Sequence, residues 1–469
     1  MRKSRLAPLL VFCGVVLLLS CIGWMSSMLT DWQRTGGQHQ LYTLTVNLDK
    51  TAAGGLSDAK GLTLDEAEAL TQEWQPLPAA YEGQLQSAAV FNGRSETCTV
   101  LGVSDTYREF GNFSLVGGSM IGPTAAAEHS RVAVISSQLA DRLFRSTGVA
   151  GKQIELFDTA FTIIGVYSEA SSLLAQMADD GIPDVMVPVT TYMELSPAAS
   201  IDTIRLSVPP GKTVGATEQV TAALTAIGQN PAQFKITSNP IVYKQTAQLN
   251  AVLLFGCGML AIFLVIRLLI RQGQSTYRRL QHRLLQDHWP DALKKERVHL
   301  LQAAATTLAV LCGFAVLWKG IAFRLYIAPD WIPEQLIDVS FYGEKLQQLW
   351  QQQTLQEGYQ PSTPELLAAA AGKLAGRLFI AGGLLGIPLF LLGIRLWRME
   401  QVPVFTQLQR LAVYGLLAAI ICFAGASWAG WDYRIALTEY AVPGVFFLAA
   451  VFYLNYSKGV KFHETNDHS

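Results

Sequence analysis

Charge is what this sequence has least of. Only 15% of its 469 residues are Asp, Glu, Lys or Arg, while 50% are hydrophobic, against about 25% charged residues in a typical soluble domain. So small a share of charge points to a chain that meets lipid over much of its surface. The formal net charge of -1 offers no basic field to a phosphate backbone, which argues against nucleic acid as a partner.

Cysteine is scarce too. Cys13, Cys21, Cys257, Cys312 and Cys422 fall in apolar blocks and leave Cys98 alone in the long polar stretch, so that stretch can close no disulfide within itself and shows no zinc-ligand spacing. A phosphate-cradling Gly-x-x-x-x-Gly-Lys-Ser/Thr loop is missing. Gly148-Val-Ala-Gly-Lys152 is too short and Gly211-Lys-Thr213 lacks the upstream glycine, so both read as turns. Ser104, Asp105 and His129 carry no nucleophile-elbow pattern and read as polar surface. The expectation is a chain with no catalytic group, cofactor or metal of its own.

What the sequence has instead is long apolar runs. A bilayer core takes about 20 residues of helix, and runs of that kind extend over Leu6 to Leu29, Leu249 to Ile270, Leu300 to Phe323, Leu378 to Trp397, Leu411 to Trp431 and Ala441 to Tyr456. They predict an α-helical multi-pass membrane protein with six spans. The first reads as an uncleaved anchor, because it exceeds the roughly 7 to 15 apolar residues of a signal core and Ser26-Ser27-Met28 is a poor cleavage site. Gly382-Gly383 and Gly386-Ile387-Pro388 in the fourth, and Pro443-Gly444 in the sixth, mark close helix packing or a kink.

Orientation follows the Lys/Arg bias of short connections. Arg2, Lys3 and Arg5 precede the first span, and Arg267, Arg271, Arg278, Arg279, Arg283, Lys294, Lys295 and Arg297 surround the connection after the second. Arg395, Arg398 and Arg410 between spans four and five, and Lys458 and Lys461 in the tail, agree with them. The connection from Ala328 to Pro364 is instead acidic, with Asp330, Glu334, Asp338, Glu344 and Glu357. Both termini are therefore expected in the cytoplasm, residues 31–247 outside it, and the protein in the cell (plasma or inner) membrane. The divisions read 1–30, 31–247, 248–270, 271–297, 298–324, 325–374, 375–397 and 398–469.

The large insert mixes strands and helices. Leu41 to Leu48 alternates as a half-buried strand; Thr97 to Val103, Arg131 to Ile135, Phe161 to Val166, Val185 to Val189 and Thr203 to Val208 also read as strands between Gly, Pro and Asp/Asn breaks. Thr63 and Glu66 form a predicted capping box opening a helix through Trp74, and helices are expected over Ser137 to Phe144 and Thr213 to Ile227. The irregular order fits a large α+β extracytoplasmic domain inserted between spans one and two.

Val100-Leu-Gly-Val-Ser104, Leu115-Val-Gly-Gly118, Val132-Ala-Val-Ile-Ser136 with Leu139-Ala-Asp-Arg-Leu-Phe144, Val149-Ala-Gly-Lys152 and Phe161-Thr-Ile-Ile-Gly-Val166 follow one another in an order and spacing that resembles the MacB/FtsX-type ABC transporter permeases and their MacB-like periplasmic core domain. The resemblance covers roughly residues 6 to 400. It implies a non-catalytic subunit that passes the motion of a separate ABC ATPase, which uses the ATP and magnesium, to the external domain. It also implies a second permease subunit, in a homo- or heterodimer, and export of a peptide, lipid-linked or drug-like substrate. Two features depart from the family: Tyr277 to Asp291 lacks its usual Glu-Ile-Gly-like run and Ala-x-Gly-Ala-like turn, and two spans follow Arg410.

Within the connection, Tyr277, Leu280, Leu284 and Leu285 recur at helical spacing with Arg278, Arg279 and Arg283 on other faces, and Trp289-Pro290 reads as a turn after them. These residues are the expected ATPase contacts. The same pattern would also suit a helix lying on anionic membrane lipid. The atypical connection leaves one rival reading, a non-transporting receptor or scaffold whose external domain binds a ligand or regulates an envelope enzyme.

Overall fold

The structure, a computed structural model, describes residues 5–35, 42–49, 61–111, 113–168, 171–179, 181–209, 213–285, 288–327, 340–345, 347, 350, 361–434 and 436–466. Arg2, Lys3, Gly211 and, in the acidic connection, Asp330, Glu334, Asp338 and Glu357 lie outside the described residues. The chain forms two units. One combines Leu29–Thr246 with Tyr326–Gly372, and the other Met1–Met28, Ala247–Leu325 and Lys373–Ser469.

The first unit is built on strands β1 (Thr43–Leu48), β2 (Ala79–Phe91), β3 (Arg94–Val103), β4 (Ser114–Gly118), β5 (Val132–Ser136), β6 (Gln153–Leu156), β7 (Thr159–Ser168), β8 (Asp184–Pro188), β9 (Thr203–Ser207) and β10 (Phe234–Ser238). They form one sheet in the order β10-β1-β9-β2-β3-β8-β5-β7-β4, with β6 beside β2 and β7. The β3/β8 and β5/β7 pairs are parallel and β1/β9, β2/β3 and β2/β9 antiparallel, so the sheet is mixed and the unit is α+β.

The helix Leu64–Glu73 opens on the predicted box: the Thr63 N–H donates to Glu66 Oε2 at 2.8 Å, and the Glu66 N–H to Thr63 Oγ1 at 3.4 Å. Helices Ser137–Phe144 and Thr213–Ala226 also lie where apolar spacing placed them. The first packs among Val100, Ile135, Phe161 and Val185. The second packs among Leu44, Val46, Leu70 and Leu206.

Two differences from the sequence reading stand out. Strand β2 was not expected, because Glu82, Gly83, Gln84, Gln86 and Ser87 interrupt its apolar alternation. It is fixed by the turn at Asn92-Gly93, where φ is 47° and 76° and Phe91 pairs with Arg94; two left-handed residues make the tight turn whose twist matches paired strands. Strand β1 is also buried on both faces, not half-buried. Leu44, Val46 and Leu48 enter the apolar core, while Thr43, Thr45 and Asn47 on its polar face are covered as well.

Among the described residues the second unit holds six helices: α1 (Leu6–Thr35), α2 (Asn239–Leu284), α3 (Trp289–Ile321), α4 (Thr363–Met399), α5 (Val404–Trp428) and α6 (Leu437–Asn466), of which α1, α2 and α4 begin or end in the sheet unit. Each contains a segment long and apolar enough to cross a membrane. They outrun the apolar sequence blocks because a helix continues until its backbone is capped, whereas hydropathy marks only the part suited to lipid.

Helix α1 is the centre of this unit, with 56% of its apolar window buried, against 6% for α3. Its small residues allow backbone contact: a Cβ on Gly14 would lie 2.5 Å from the Phe390 nitrogen, and one on Gly393 would lie 2.7 Å from the Val11 nitrogen. Such close approach is how helices gain packing energy where no hydrophobic effect drives them together. The glycine-rich part of α4 forms a π-helical turn over Ala381–Gly386 just before Pro388. A proline ring cannot tolerate the carbonyl one regular turn earlier, and the wider turn relieves that clash. The Phe390 ring meets Phe446 and Phe447 of α6 at 5.4 and 4.4 Å, which builds α6 into the bundle.

Candidate coupling site

A 46-residue α2 rises about 1.5 Å per residue to about 70 Å, more than twice the roughly 30 Å of a hydrocarbon core. The basic connection is therefore drawn from two long helices, not from a separate amphipathic one. Tyr277, Arg278, Arg279, Leu280 and Leu284 belong to the end of α2, and Leu285 follows it. Arg283 shares that helix, and its side chain lies outside the described residues. Trp289 opens α3, with His288 at its cap and Pro290 in the first turn, where a missing N–H costs nothing. The expected turn at Trp289-Pro290 is thus a helix start.

The structure leaves Tyr277, Leu284, Leu285 and Trp289 exposed, at 67%, 45%, 83% and 68%, beside exposed Arg278, Arg279, Lys294 and Arg297. Among the described residues these large apolar side chains form an uncovered patch beside cations. Leu280 is half-buried and turns between the two helices with Arg279, where a cavity of about 400 Å³ is also lined by Glu296, His299 and Tyr456.

Two contacts support this end of the hairpin, and a third joins α5 to α6. Gln272 Nε2 donates to Thr306 Oγ1 at 2.9 Å across α2 and α3. Arg271 stacks on the Tyr453 ring of α6 at 4.4 Å and donates to its hydroxyl at 3.1 Å. Gln407 of α5 receives a hydrogen bond from Asn455 of α6 at 3.0 Å. Sequence reasoning found neither Tyr453 nor Thr306. Each is an ordinary residue of an apolar helix, and only the packing of distant helices gives it a role.

In the sheet unit, a second polar cluster lies at the start of α4. The buried Glu365 carboxylate accepts from Asn47 Nδ2 and Thr237 Oγ1, both at 3.1 Å, and from the Ser362 N–H at 3.1 Å, with Lys235 Nζ at 3.4 Å. Trp32 near the end of α1 packs on Tyr243 at the start of α2, ring centres 5.4 Å apart, and Gln33 hydrogen-bonds the Tyr243 hydroxyl.

Deeper in the sheet, Arg205 donates to Glu82 at 2.7 Å and to Tyr107 at 3.2 Å. Burial alone would lower the Arg205 pKa. The Glu82 carboxylate outweighs it, and the guanidinium is held above its ordinary value. The pair is a buried structural contact. Ser104 accepts from the Tyr81 N–H and His129 pairs with Glu194 at 2.6 Å, so their hydrogen bonds run to separate partners. Among the described residues no three His, Cys, Asp or Glu side chains gather as a metal-binding set.

These features define a membrane protein in which apolar helices accompany a β-rich domain of periplasmic type. Residues 6–226 match the family described as MacB-like periplasmic core domain, the domain that the order of the sequence motifs resembles. A curated relative, the macrolide export ATP-binding/permease protein MacB of Syntrophobacter fumaroxidans, is 23% identical over 224 residues, 46% of this chain and 31% of that protein. The chain thus spans about a third of the length of that relative. Among solved structures, the periplasmic region of MacB from Actinobacillus actinomycetemcomitans aligns at 16% identity and TM-score 0.37, over 46% of this chain and 95% of that one. The extracellular domain of the transporter YknZ from Gram-positive bacteria aligns at 14% and 0.33, over 42% and 99%.

Proposed function

We propose that this chain is the permease-type membrane subunit of an ABC complex, driven by a separate ATPase that docks on the α2–α3 hairpin. All six apolar helices cross the membrane, both termini and the hairpin end face the cytoplasm, and the sheet domain lies outside. ATP and magnesium act in the partner, a second permease subunit completes the complex, and the cargo is a peptide, lipid-linked or drug-like molecule moved on the outer side.

The observation that carries this reading is continuity. Strand β10 ends at Ser238 and α2 begins at Asn239, running without a break to Leu284. A push at Leu284 would travel along one hydrogen-bonded helix to the strand that feeds it, with no flexible linker to absorb it. The exposed Leu284, Leu285 and Trp289 supply an apolar patch for docking, and the surrounding arginines supply orientation.

The test is co-purification with an ABC ATPase of the same cell, using Leu284→Asp/Leu285→Asp. We expect the variant to fold, since both side chains are exposed, and to lose at least tenfold in ATPase binding and in stimulated hydrolysis. An ATPase that binds and turns over as before would favour the receptor or scaffold reading.

A further inference from the structure

Two open clefts lie between α2 and α3 at their inner end, one of mixed polar and apolar lining and the other mainly apolar. One, of about 400 Å³, is lined by Ser275, Thr276, Arg279, Glu296, His299 and Tyr456. The other, of about 580 Å³, is lined by Leu269, Leu280, Ala304, Leu308 and Leu311. Gln272, Thr276, Leu280 and Ala303 border both, so the two spaces adjoin along the same helix pair.

Their order along the helices matches a lipid leaflet. Arg279, Glu296 and His299 lie beyond the ends of the apolar blocks, which finish at Ile270 on α2 and begin at Leu300 on α3. Leu308 and Leu311 lie within the block, and eleven residues from Leu300 to Leu311 at about 1.5 Å each reach about 16 Å into the acyl region. Polar space therefore stands at headgroup depth, and apolar space continues below it.

We propose that this cleft holds one phospholipid, its headgroup in the polar chamber and an acyl chain along Leu308 and Leu311. Arg279 supplies the cation and His299 a ring N–H for the phosphate. Glu296, on the facing helix, supplies an anion for an ammonium group. A chamber with both signs of charge selects a zwitterion with a primary amine, an ethanolamine-type headgroup, over an anionic glycerol-type one. Tyr456 of α6 lines the polar cleft, which gives the last helix a part in the site. The proposal rests on reading α2 and α3 as membrane helices; it shares Arg279 and Leu280 with the expected ATPase contacts, and its test leaves the ATPase out.

The test uses the full chain alone, purified in detergent and mixed with phosphatidylethanolamine, phosphatidylglycerol or phosphatidylcholine, with retained lipid counted by native mass spectrometry. We expect at least fivefold preference for phosphatidylethanolamine, a tenfold loss in Arg279→Ala, and loss of the preference in Glu296→Gln. Leu308→Trp should block retention while leaving the helical circular dichroism unchanged. Equal retention of the three lipids, or retention unaffected by both Arg279→Ala and Leu308→Trp, would overturn the proposal. Inorganic phosphate that displaced the lipid at millimolar concentration would overturn it too, by showing that the acyl groove contributes nothing.

Discussion

Asn47 and Glu365 lie 318 residues apart, yet the Asn47 amide donates to the Glu365 carboxylate at 3.1 Å in a buried contact. Thr203 of β9 donates in turn to Asn47 Oδ1 at 2.9 Å, so a hydrogen-bonded line runs from the sheet to the first turn of α4. This contact explains why the polar face of β1 is buried: it faces a carboxylate, not water.

Removing that carboxylate should loosen the segment. Glu365→Ala leaves Asn47, Thr237 and the Ser362 N–H without their acceptor, at about 1–3 kcal/mol for each stranded group. We expect chymotrypsin to cleave after Leu366 or Leu367 at least tenfold faster, with Glu365→Gln intermediate because it keeps one acceptor oxygen. Unchanged cleavage in the alanine variant would remove Glu365 as an anchor.

Arg205 and Glu82 give a sharper effect. Both side chains are under 10% exposed, and Glu82→Ala strands a buried guanidinium at a cost of about 3–5 kcal/mol. Urea unfolding of the sheet domain should shift accordingly. The double variant Glu82→Leu/Arg205→Met should recover most of that loss, since it removes both charges together.

Alkaline pH should weaken the domain. Burial pushes the Cys98 thiol from 9.0 to about 12 and the Tyr81 hydroxyl from 10.0 to about 12. Both groups stay neutral in the fold while the unfolded chain ionises first, so their contribution is whole below pH 9 and declines as pH rises towards 12. Urea midpoints should be flat from about pH 7 to 8.5 and then fall, and Cys98→Ala should delay the onset to about pH 10, where Tyr81 begins to act. Cys98 should also resist iodoacetamide until the domain is unfolded.

The α1–α4 contact should reject even one methyl group. In Gly14→Ala the new Cβ would meet the Phe390 backbone, and overpacking of this kind costs about 1–3 kcal/mol. Gly256→Ala on α2 meets nothing within 4 Å and serves as the control. Thermal unfolding in detergent should separate the two, with a lower transition only for Gly14→Ala.

Much of the architecture was legible because hydropathy is local. Six apolar runs, the capping box at Thr63 and Glu66, and the helix at Ser137–Phe144 each depend on residues within a few turns of one another. The candidate site was legible only as composition: Tyr277, Leu284, Leu285 and the arginines could be seen, but not that α2 and α3 carry them on continuous helices.

By itself the sequence determined which segments suit lipid, where several strands and helices begin, and that Cys98 can close no disulfide within residues 31–247. Only the tertiary structure decided that β2 pairs with β3, that Glu365 returns to Asn47, and that Tyr453 and Tyr456 of the last helix join the hairpin end. The reason is physical. Transfer free energy, capping and turn preference act over a few residues, whereas a polar group's partner and a glycine's neighbour are fixed only when distant segments close-pack.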